Sequence, residues 1–497
     1  MSFAKVLFSL MGLTLISKVL GFLREIFLSY FYGASSTTDA YLVALTIPGV
    51  LFAFFSTAVA IGFVPTFTRV SDNIEERNNF VNNVFSILLV ASTIIVVLTI
   101  VFAEQLVYVL APGFDSETKY LAIKFTQIFV LGVYFSCWLS VFVAFLNFFR
   151  RFTVVALAGI PFNLSILLSI VLSYYYSIYW LVLGAVLGKL FEIVLLYPVV
   201  KKYDYKFKFV LNFKDRHVRH LVLLSLPLTL SIAVTQINII VDKSIASTLE
   251  VGAISAINYS HYLVELVVGI FVMSVATIFF PDLARFFHDK DYKKITYTSE
   301  KSLRLVNLFV VPSCIYFMVK SFEIITFVYQ RGSFDQESTN LTSSVFILFA
   351  AGLVGFSYRE VLTRIFYAMH NTKIPVTNSI IGVVVNIVLA YILSGFLGVS
   401  GLALATSTSA FVTTILLFIK LKKMEIFLDY RNLFVDIAKT VFSAILASSV
   451  AFFVKDDSWF LVANFLIYIS IYLLILLLLK NDMMMLMYNR VIRKSES

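Results

Sequence analysis

The chain has 497 residues, of which 60% are hydrophobic and only 14% charged, with a formal net charge of +10. A mean hydropathy of +0.93 excludes a soluble domain, where about a quarter of residues carry charge, and the many apolar runs of 18 or more residues read as membrane spans. The positive balance does not imply nucleic acid, because the surplus Lys and Arg fall in short loops between the runs, where the positive-inside rule places them.

The first run, 4–32, has Lys5 near its start but no short apolar core ending in a small-residue cleavage site, so it is read as a retained span. Within it, "SKVLGFLREIFLSYFYGASSTTDA" (17–40) carries Lys18, Arg24 and Glu25, with Asp39 just beyond the following turn. An ionisable group near the bilayer centre costs about 2.5–3.5 kcal/mol and so faces a cavity or a partner. Lys18 and Arg24 are separated by about 9 Å of rise and about 120° of rotation, with Gly21 midway. Two cations flanking a gap form a candidate anion clamp. The alternative is simple pairing with Glu25, or with Asp39 where the next run begins.

The runs at 40–68, 79–110, 120–148, 153–176 and 178–200 complete a set of six. "GAVLGKL" (184–190) lacks phosphate-loop spacing and reads as helix packing at Gly184 and Gly188. Lys189 with Glu192 is a structural i, i+3 pair. The basic segment 201–219 links this set to a second, at 219–248, 253–284, 302–328, 340–368, 374–395 and 398–420.

The seventh span holds "TQINIIVDKS", with Gln236, Asn238 and Asp242, open to reading as an interlobe lock, a cation site or plain interhelical hydrogen bonding. In the eighth, His261 and Glu265 are an i, i+4 pair, read as a structural pair or a proton-sensitive gate. In the tenth, "YREVLTRIFYA" pairs Glu360 with Arg364 and leaves Arg359 the freer cation. Two further spans, at 433–454 and 458–480, include an Asp436–Lys439 i, i+3 pair. Cys137 and Cys314 lie in spans, without disulfide or zinc spacing.

Cations alternate between loops as fourteen spans with both termini on the cytoplasmic side require, the tail adding Arg490, Arg493 and Lys494. "FVPTFTRVSD" (63–72) returns as "FFPDLARFFHD" (279–289), and "FLNFFRRF…IPFNLSI" (145–166) is echoed by "FYAMHNTKIPVTNSIIGVVVNIV" (366–388). An even number of helices per repeat gives a parallel repeat. The expected architecture is therefore a six-helix lobe (1–205), a second six-helix lobe (206–425), and two extra helices with a cytoplasmic tail (426–497). No HExxH motif, Cys–His cluster or sizeable outer domain suggests an enzyme such as a glycan polymerase or ligase.

The set "KVLGFLREIFLSYFYGASSTTDAYLVALTIP", "FVPTF", "VLAPGF", "QINIIVD", "RGSFD", "VLTRIFYAMHNTKIPV" and "GLALATS" resembles the MurJ/MviN-type flippases. These belong to the superfamily of multidrug, oligosaccharidyl-lipid and polysaccharide exporters. The resemblance implies ATP-independent alternating access in the bacterial inner membrane, moving an undecaprenyl-pyrophosphate-linked glycan, foremost lipid II, to the outer leaflet. It implies that cavity cations take the diphosphate, and together with the spacing above this makes Lys18, Gly21, Arg24 and Arg359 the expected contacts. Gate or coupling roles are expected for Asp39, Glu25, Gln236, Asn238, Asp242, His261 and Glu265. A monomer among membrane lipids, cell-wall synthesis proteins as partners, and no cofactor beyond a coupling cation are also expected. Lys18 stands where that family usually has Arg, while Arg24 and Asp39 match. The family's arginine-bearing run after Pro48 is replaced by uncharged "GVLFAFFSTAVA" (49–60), and Tyr262 stands where an arginine is usual. The variant reading is a flippase for another polyprenyl-linked oligosaccharide. An ion-coupled exporter of cationic drugs is the more distant alternative.

Overall fold

The computed structural model describes residues 3–424, 426–453 and 460–486, with 3–11, 227–228, 230–231 and 453 described by backbone alone. The tail residues Arg490, Arg493 and Lys494 lie outside the described residues. Among those residues every regular element is a helix.

The helices are α1 (Phe3–Tyr32), α2 (Ser36–Phe67), α3 (Ile74–Val101), α4 (Ala103–Leu110), α5 (Ser116–Phe129), α6 (Gly132–Phe148), α7 (Phe152–Tyr175), α8 (Trp180–Lys201) and α9 (Arg216–Ser247). There follow α10 (Ala253–Val267), a π-helical turn (Val268–Val272), α11 (Met273–His288), α12 (Tyr292–Val319), α13 (Ser321–Tyr329), α14 (Gln336–Ala351) and α15 (Leu353–Ala368). The chain closes with α16 (Lys373–Leu397), α17 (Val399–Lys423), α18 (Tyr430–Phe453) and α19 (Phe460–Leu478).

Ten of these segments, counting α10 with α11 as one, are long and apolar enough to span a membrane. Two bent pairs, α5 with α6 (41°) and α14 with α15 (45°), each make one more. With α1 and α9, 30 and 32 residues long, the total is the expected fourteen.

Local chemistry sets the helix ends. Asn73, Asp115, Asp215, Asp291 and Asp335 cap α3, α5, α9, α12 and α14 by accepting from backbone N–H groups of the first turn. The α6–α7 and α15–α16 connections share one stop signal. Arg150 and His370 adopt φ of +55° and +57°. The residue after each, Arg151 or Asn371, donates back five residues, to the Leu146 or Phe366 carbonyl. These two turns fall within the second pair of repeated sequence segments.

Packing divides the chain into two compact units. The first comprises Met1–Ser255 with Arg331–Phe334, the second Ala256–Gln330 with Asp335–Ser497. The helix α9, counted first in the second set by repeat order, packs against α2 in the first unit. That unit has an aromatic core of Phe63, Phe67, Phe80 and Phe145. Its α7 and α8 approach closely: a Cβ at Gly184 would lie 1.7 Å from Ser169 Oγ, and one at Gly188 2.8 Å from the Phe162 ring. Small residues at these two positions are what the "GAVLGKL" spacing predicts.

In the second unit, α19 is tied to α12 by tyrosines. Tyr468 donates to the Pro312 carbonyl at 2.8 Å and Tyr472 to that of Leu308 at 3.0 Å. Asp436 does not pair with Lys439. It is 4% exposed and accepts from Asn481 at 2.8 Å and Asn307 at 3.4 Å, while Lys439 reaches the Lys480 carbonyl. Buried amides satisfy the carboxylate without the desolvation that burying an ammonium beside it would cost.

Candidate substrate and gate residues

In the first unit, α1 is fastened to α7 at two levels. Asn163 donates to Ser17 Oγ at 3.4 Å, and Tyr32 donates to Ser173 Oγ at 2.7 Å. Lys18, next to the first fastening, is half-buried, and no described residue bonds or pairs with its ammonium. Arg24 is also half-buried, and both its Nε and Nη2 donate to Glu25 Oε1, at 3.2 and 2.7 Å. Gly21 is buried. The chain thus pairs Arg24 with Glu25, while Lys18 has no bonding partner among the described residues.

Asp39 joins neither cation. It is 2% exposed, and its carboxylate accepts from the Gly252 and Ser255 N–H groups, both at 2.8 Å, and from the Ser255 hydroxyl. These donors belong to the first turn of α10, whose unpaired N–H groups favour an anion. A partner 213 residues away in sequence gives no local sequence signal.

Beside it, Lys243 on α9 reaches across to α2, donating to the Leu42 carbonyl at 2.7 Å and to Thr46 Oγ1 at 2.5 Å. Its charge is felt at Asp39. Sequence reasoning passed over this residue as a site. The available signal was a lysine in an apolar helix that does not fall at pairing distance from an acid. Asn238 donates to Asp242 at 3.0 Å within α9, and Gln236 is half-buried. A cavity of about 180 Å³, lined by Asp39, Asp115, Thr118, Ser247 and Glu250 among others, adjoins the Asp39 cap.

A second cavity in this unit, about 150 Å³, lies beside Pro48, Gly49 and Phe52, where the family pattern leads one to expect cations. The charge lining it is Lys189 of α8. Its ammonium is 2.9 Å from Glu192 and 4.2 Å from the Phe162 ring centre.

In the second unit, His261 and Glu265 stand 4.0 Å apart on α10, with side chains 43% and 67% exposed. Arg359 on α15 is exposed, lies 5.7 Å from the Phe356 ring centre, and is electrostatically coupled to His261. Arg364 is bound to Glu360 at 3.0 Å, as its spacing predicts. Tyr262 is half-buried. The structure therefore groups His261, Glu265 and Arg359, while Glu360 and Arg364 pair separately. Among the described residues no group of three His, Cys, Asp or Glu is arranged to hold a metal ion.

Residues 28–471 match the family model described as lipid II flippase MurJ. A probable lipid II flippase MurJ of Buchnera aphidicola subsp. Baizongia pistaciae is 29% identical over 470 residues, covering 92% of this chain and 90% of the relative. The corresponding protein of Treponema pallidum is 28% identical over 426 residues, covering 83% and 80%. Among solved structures, a lipid II flippase MurJ in an inward closed conformation superposes with a TM-score of 0.84 at 26% identity, covering 95% of this chain and 99% of that one. An inward-facing multidrug resistance MATE family transporter superposes with a TM-score of 0.68 at 14% identity, covering 84% and 98%, which shows a shared fold. The chain is a member of the lipid II flippase MurJ family.

Proposed function

We propose that this chain is an ATP-independent flippase that carries lipid II from the inner to the outer leaflet of the bacterial cytoplasmic membrane by alternating access. The carrying observation is a family match along residues 28–471, preceded on the same membrane-length helix by two cations, Lys18 and Arg24, kept partly exposed. A polyprenyl-linked diphosphate has the charge to repay that exposure. Lys18 contributes an unshared ammonium. Arg24 contributes a guanidinium whose orientation Glu25 fixes from one edge, a geometry suited to phosphate oxygens.

In this reading Arg359 adds a third positive contact. The Lys243 tether holds α2 to α9, and the Asp39 cap holds α2 to the start of α10, until transport requires their release. The lobes at 1–205 and 206–425 rock about the bound headgroup, and helices 426–497 carry the polyprenyl tail. Both termini face the cytoplasm and the unit of function is a monomer. A cation gradient or the membrane potential resets the cycle, each charge moved being worth about 2.3 kcal/mol per 100 mV.

The uncharged segment 49–60 favours one variant reading, in which the glycan is a different polyprenyl-linked oligosaccharide. Depletion of the protein followed by analysis of lipid-linked precursors distinguishes the two. Lipid II accumulates under the first reading and another polyprenyl glycan under the second. Accumulation of neither would reject both. Arg24→Glu is expected to abolish complementation at normal expression, and a functional Arg24→Glu protein would remove the diphosphate role.

A further inference from the structure

The link after α8 is a fastened strap. Its backbone is gripped by a polar ladder on α3. Asn78 donates to the Asp204 carbonyl and Asn82 to that of Lys206, both at 2.9 Å. Ser86 Oγ accepts from the Val210 N–H at 3.1 Å. Asn83 binds Asn212 twice, donating to its carbonyl at 2.9 Å and accepting its N–H at 2.8 Å. Arg77 donates to the Tyr203 carbonyl at 2.5 Å. One α3 turn, about 6 Å, separates Asn78 from Asn82 and is covered by two strap residues, so the strap is extended there.

Extended chain alternates its side chains. Tyr205 is buried and bonded to Asn82, and the Phe207 ring lies 5.1 Å from Phe85 of α3. Lys206, Lys208 and Lys214 are exposed, as are Phe209 and Phe213. An extended segment fixed at one end of a membrane bundle, with free ammonium groups beside exposed phenyl rings, has the composition of an interfacial membrane contact. Where the strap ends, an apolar groove of about 250 Å³ opens between α2, α3 and α9, lined by Val84, Leu88, Val218, Leu221 and Val222 among others. Val218, at its rim, lies only four residues beyond Lys214, the last lysine of the strap. On α9, the exposed Arg216 and Arg219 lie within one turn of the groove.

We propose that strap and groove together form a binding site for an anionic glycerophospholipid. Lys206, Lys208 and Lys214 hold the phosphate headgroup, and one acyl chain lies in the groove. Three lysines, two arginines and the absence of acidic groups among the groove's lining residues favour an anionic headgroup over a zwitterionic one. The site is separate from Lys18 and Arg24 and does not depend on which glycan is transported.

The test uses full-length protein in detergent, offered equal amounts of phosphatidylglycerol and phosphatidylcholine with identical acyl chains, with retained lipid counted by native mass spectrometry. The wild type should retain phosphatidylglycerol selectively. The K206Q/K208Q/K214Q protein should lose that preference, by about five-fold in relative affinity per lysine. Val222→Trp, which fills the groove from its exposed rim, should lower retention of both lipids. Melting temperatures report folding, and Lys208→Gln alone, expected to lose about five-fold, serves as the reading should the triple variant melt early. Equal retention of both lipids by the wild type would overturn the proposal, as would unchanged selectivity in the lysine variants. Displacement of phosphatidylglycerol by a polyprenyl diphosphate would also overturn it, by assigning the groove to the transported substrate.

Discussion

Asp39→Asn is the sharpest probe of the α2–α10 contact. In the wild type one carboxylate oxygen takes the Gly252 N–H, and the other takes the N–H and hydroxyl of Ser255. An asparagine has one acceptor oxygen and one NH₂ group, so whichever way the amide turns, a donor faces a donor. Hydrogen bonds to a charged acceptor contribute about 1.5–3 kcal/mol each, and an unsatisfied buried donor costs about 1–3 kcal/mol. The site is 2% exposed, so water does not substitute, and a loss of about 3 kcal/mol is expected. At about 2.1 cal/mol/K per residue, that is about 3 °C in melting temperature if the whole chain melts together. It is about 6 °C if only the first unit does. The assay is thermal unfolding in a mild detergent, with Lys243→Met and the double variant completing a cycle. Because the Lys243 charge is felt at Asp39, the two losses should fall short of additive by about 0.5 kcal/mol or more. An Asp39→Asn protein that melts with the wild type would refute the cap, and strict additivity would refute the coupling.

Gly33→Ala should destabilise by about 2 kcal/mol or more, because φ is +63° and the added Cβ would lie 2.4 Å from the Ser333 carbonyl oxygen. Gly49→Ala, with nothing within 4 Å of the new Cβ, should be neutral or slightly stabilising, and thermal melts of the pair check both. Hydrogen bonds from Thr118 and the first-turn N–H groups hold the Asp115 carboxyl below its usual range, and those from Ser338 do the same for Asp335. Lowered carboxyl pKa values contribute stability above the unfolded value and lose it as pH falls through the folded one. Melting temperature should therefore be insensitive to these groups down to about pH 4 and fall below it, with a shallower acid limb in Asp115→Asn/Asp335→Asn. Lys189→Met should destabilise by about 3–5 kcal/mol, since it strands Glu192, 7% exposed, and Lys189→Met/Glu192→Leu should recover most of that in melting experiments. Failure of the double variant to recover would assign Lys189 a role beyond pairing.

Local patterns made much of the fold legible. The fourteen spans follow from hydropathy and alternating loop charge. Asn73 and Asp215 stand one residue before their helices, where capping chemistry requires them. The Lys189–Glu192 and Glu360–Arg364 pairs follow from helical spacing alone. What sequence could not deliver were contacts whose partners lie far apart in the chain. Asp39 is addressed to a helix start 213 residues away. The Asn ladder on α3 reads in sequence as an unusually polar stretch, "NNFVNN", and acquires meaning only when residues 204–212 are laid on it. Asp436 shows the opposite failure. A correctly spaced lysine was present, yet two amides, Asn307 of α12 and Asn481 beyond α19, satisfied the carboxylate without an ion pair.

The same comparison orders the cations within the spans. Lys189 is satisfied by Glu192 and the Phe162 ring, Arg364 by Glu360 and Met273, and Lys243 by two oxygens of α2. Each has an intramolecular reason to be where it is. Arg24 is partly accounted for by Glu25. Lys18 has no bonding partner among the described residues, and so bears the cost of a charge in an apolar helix without a structural return. Under the proposed function, the diphosphate of the transported lipid would offset that cost. The physical ranking of candidate anion contacts on α1 therefore places Lys18 first. A neutral, linear replacement such as methionine should keep or raise stability while transport is lost. Such a separation of stability from activity is not expected at Lys189, where the paired acid would be stranded.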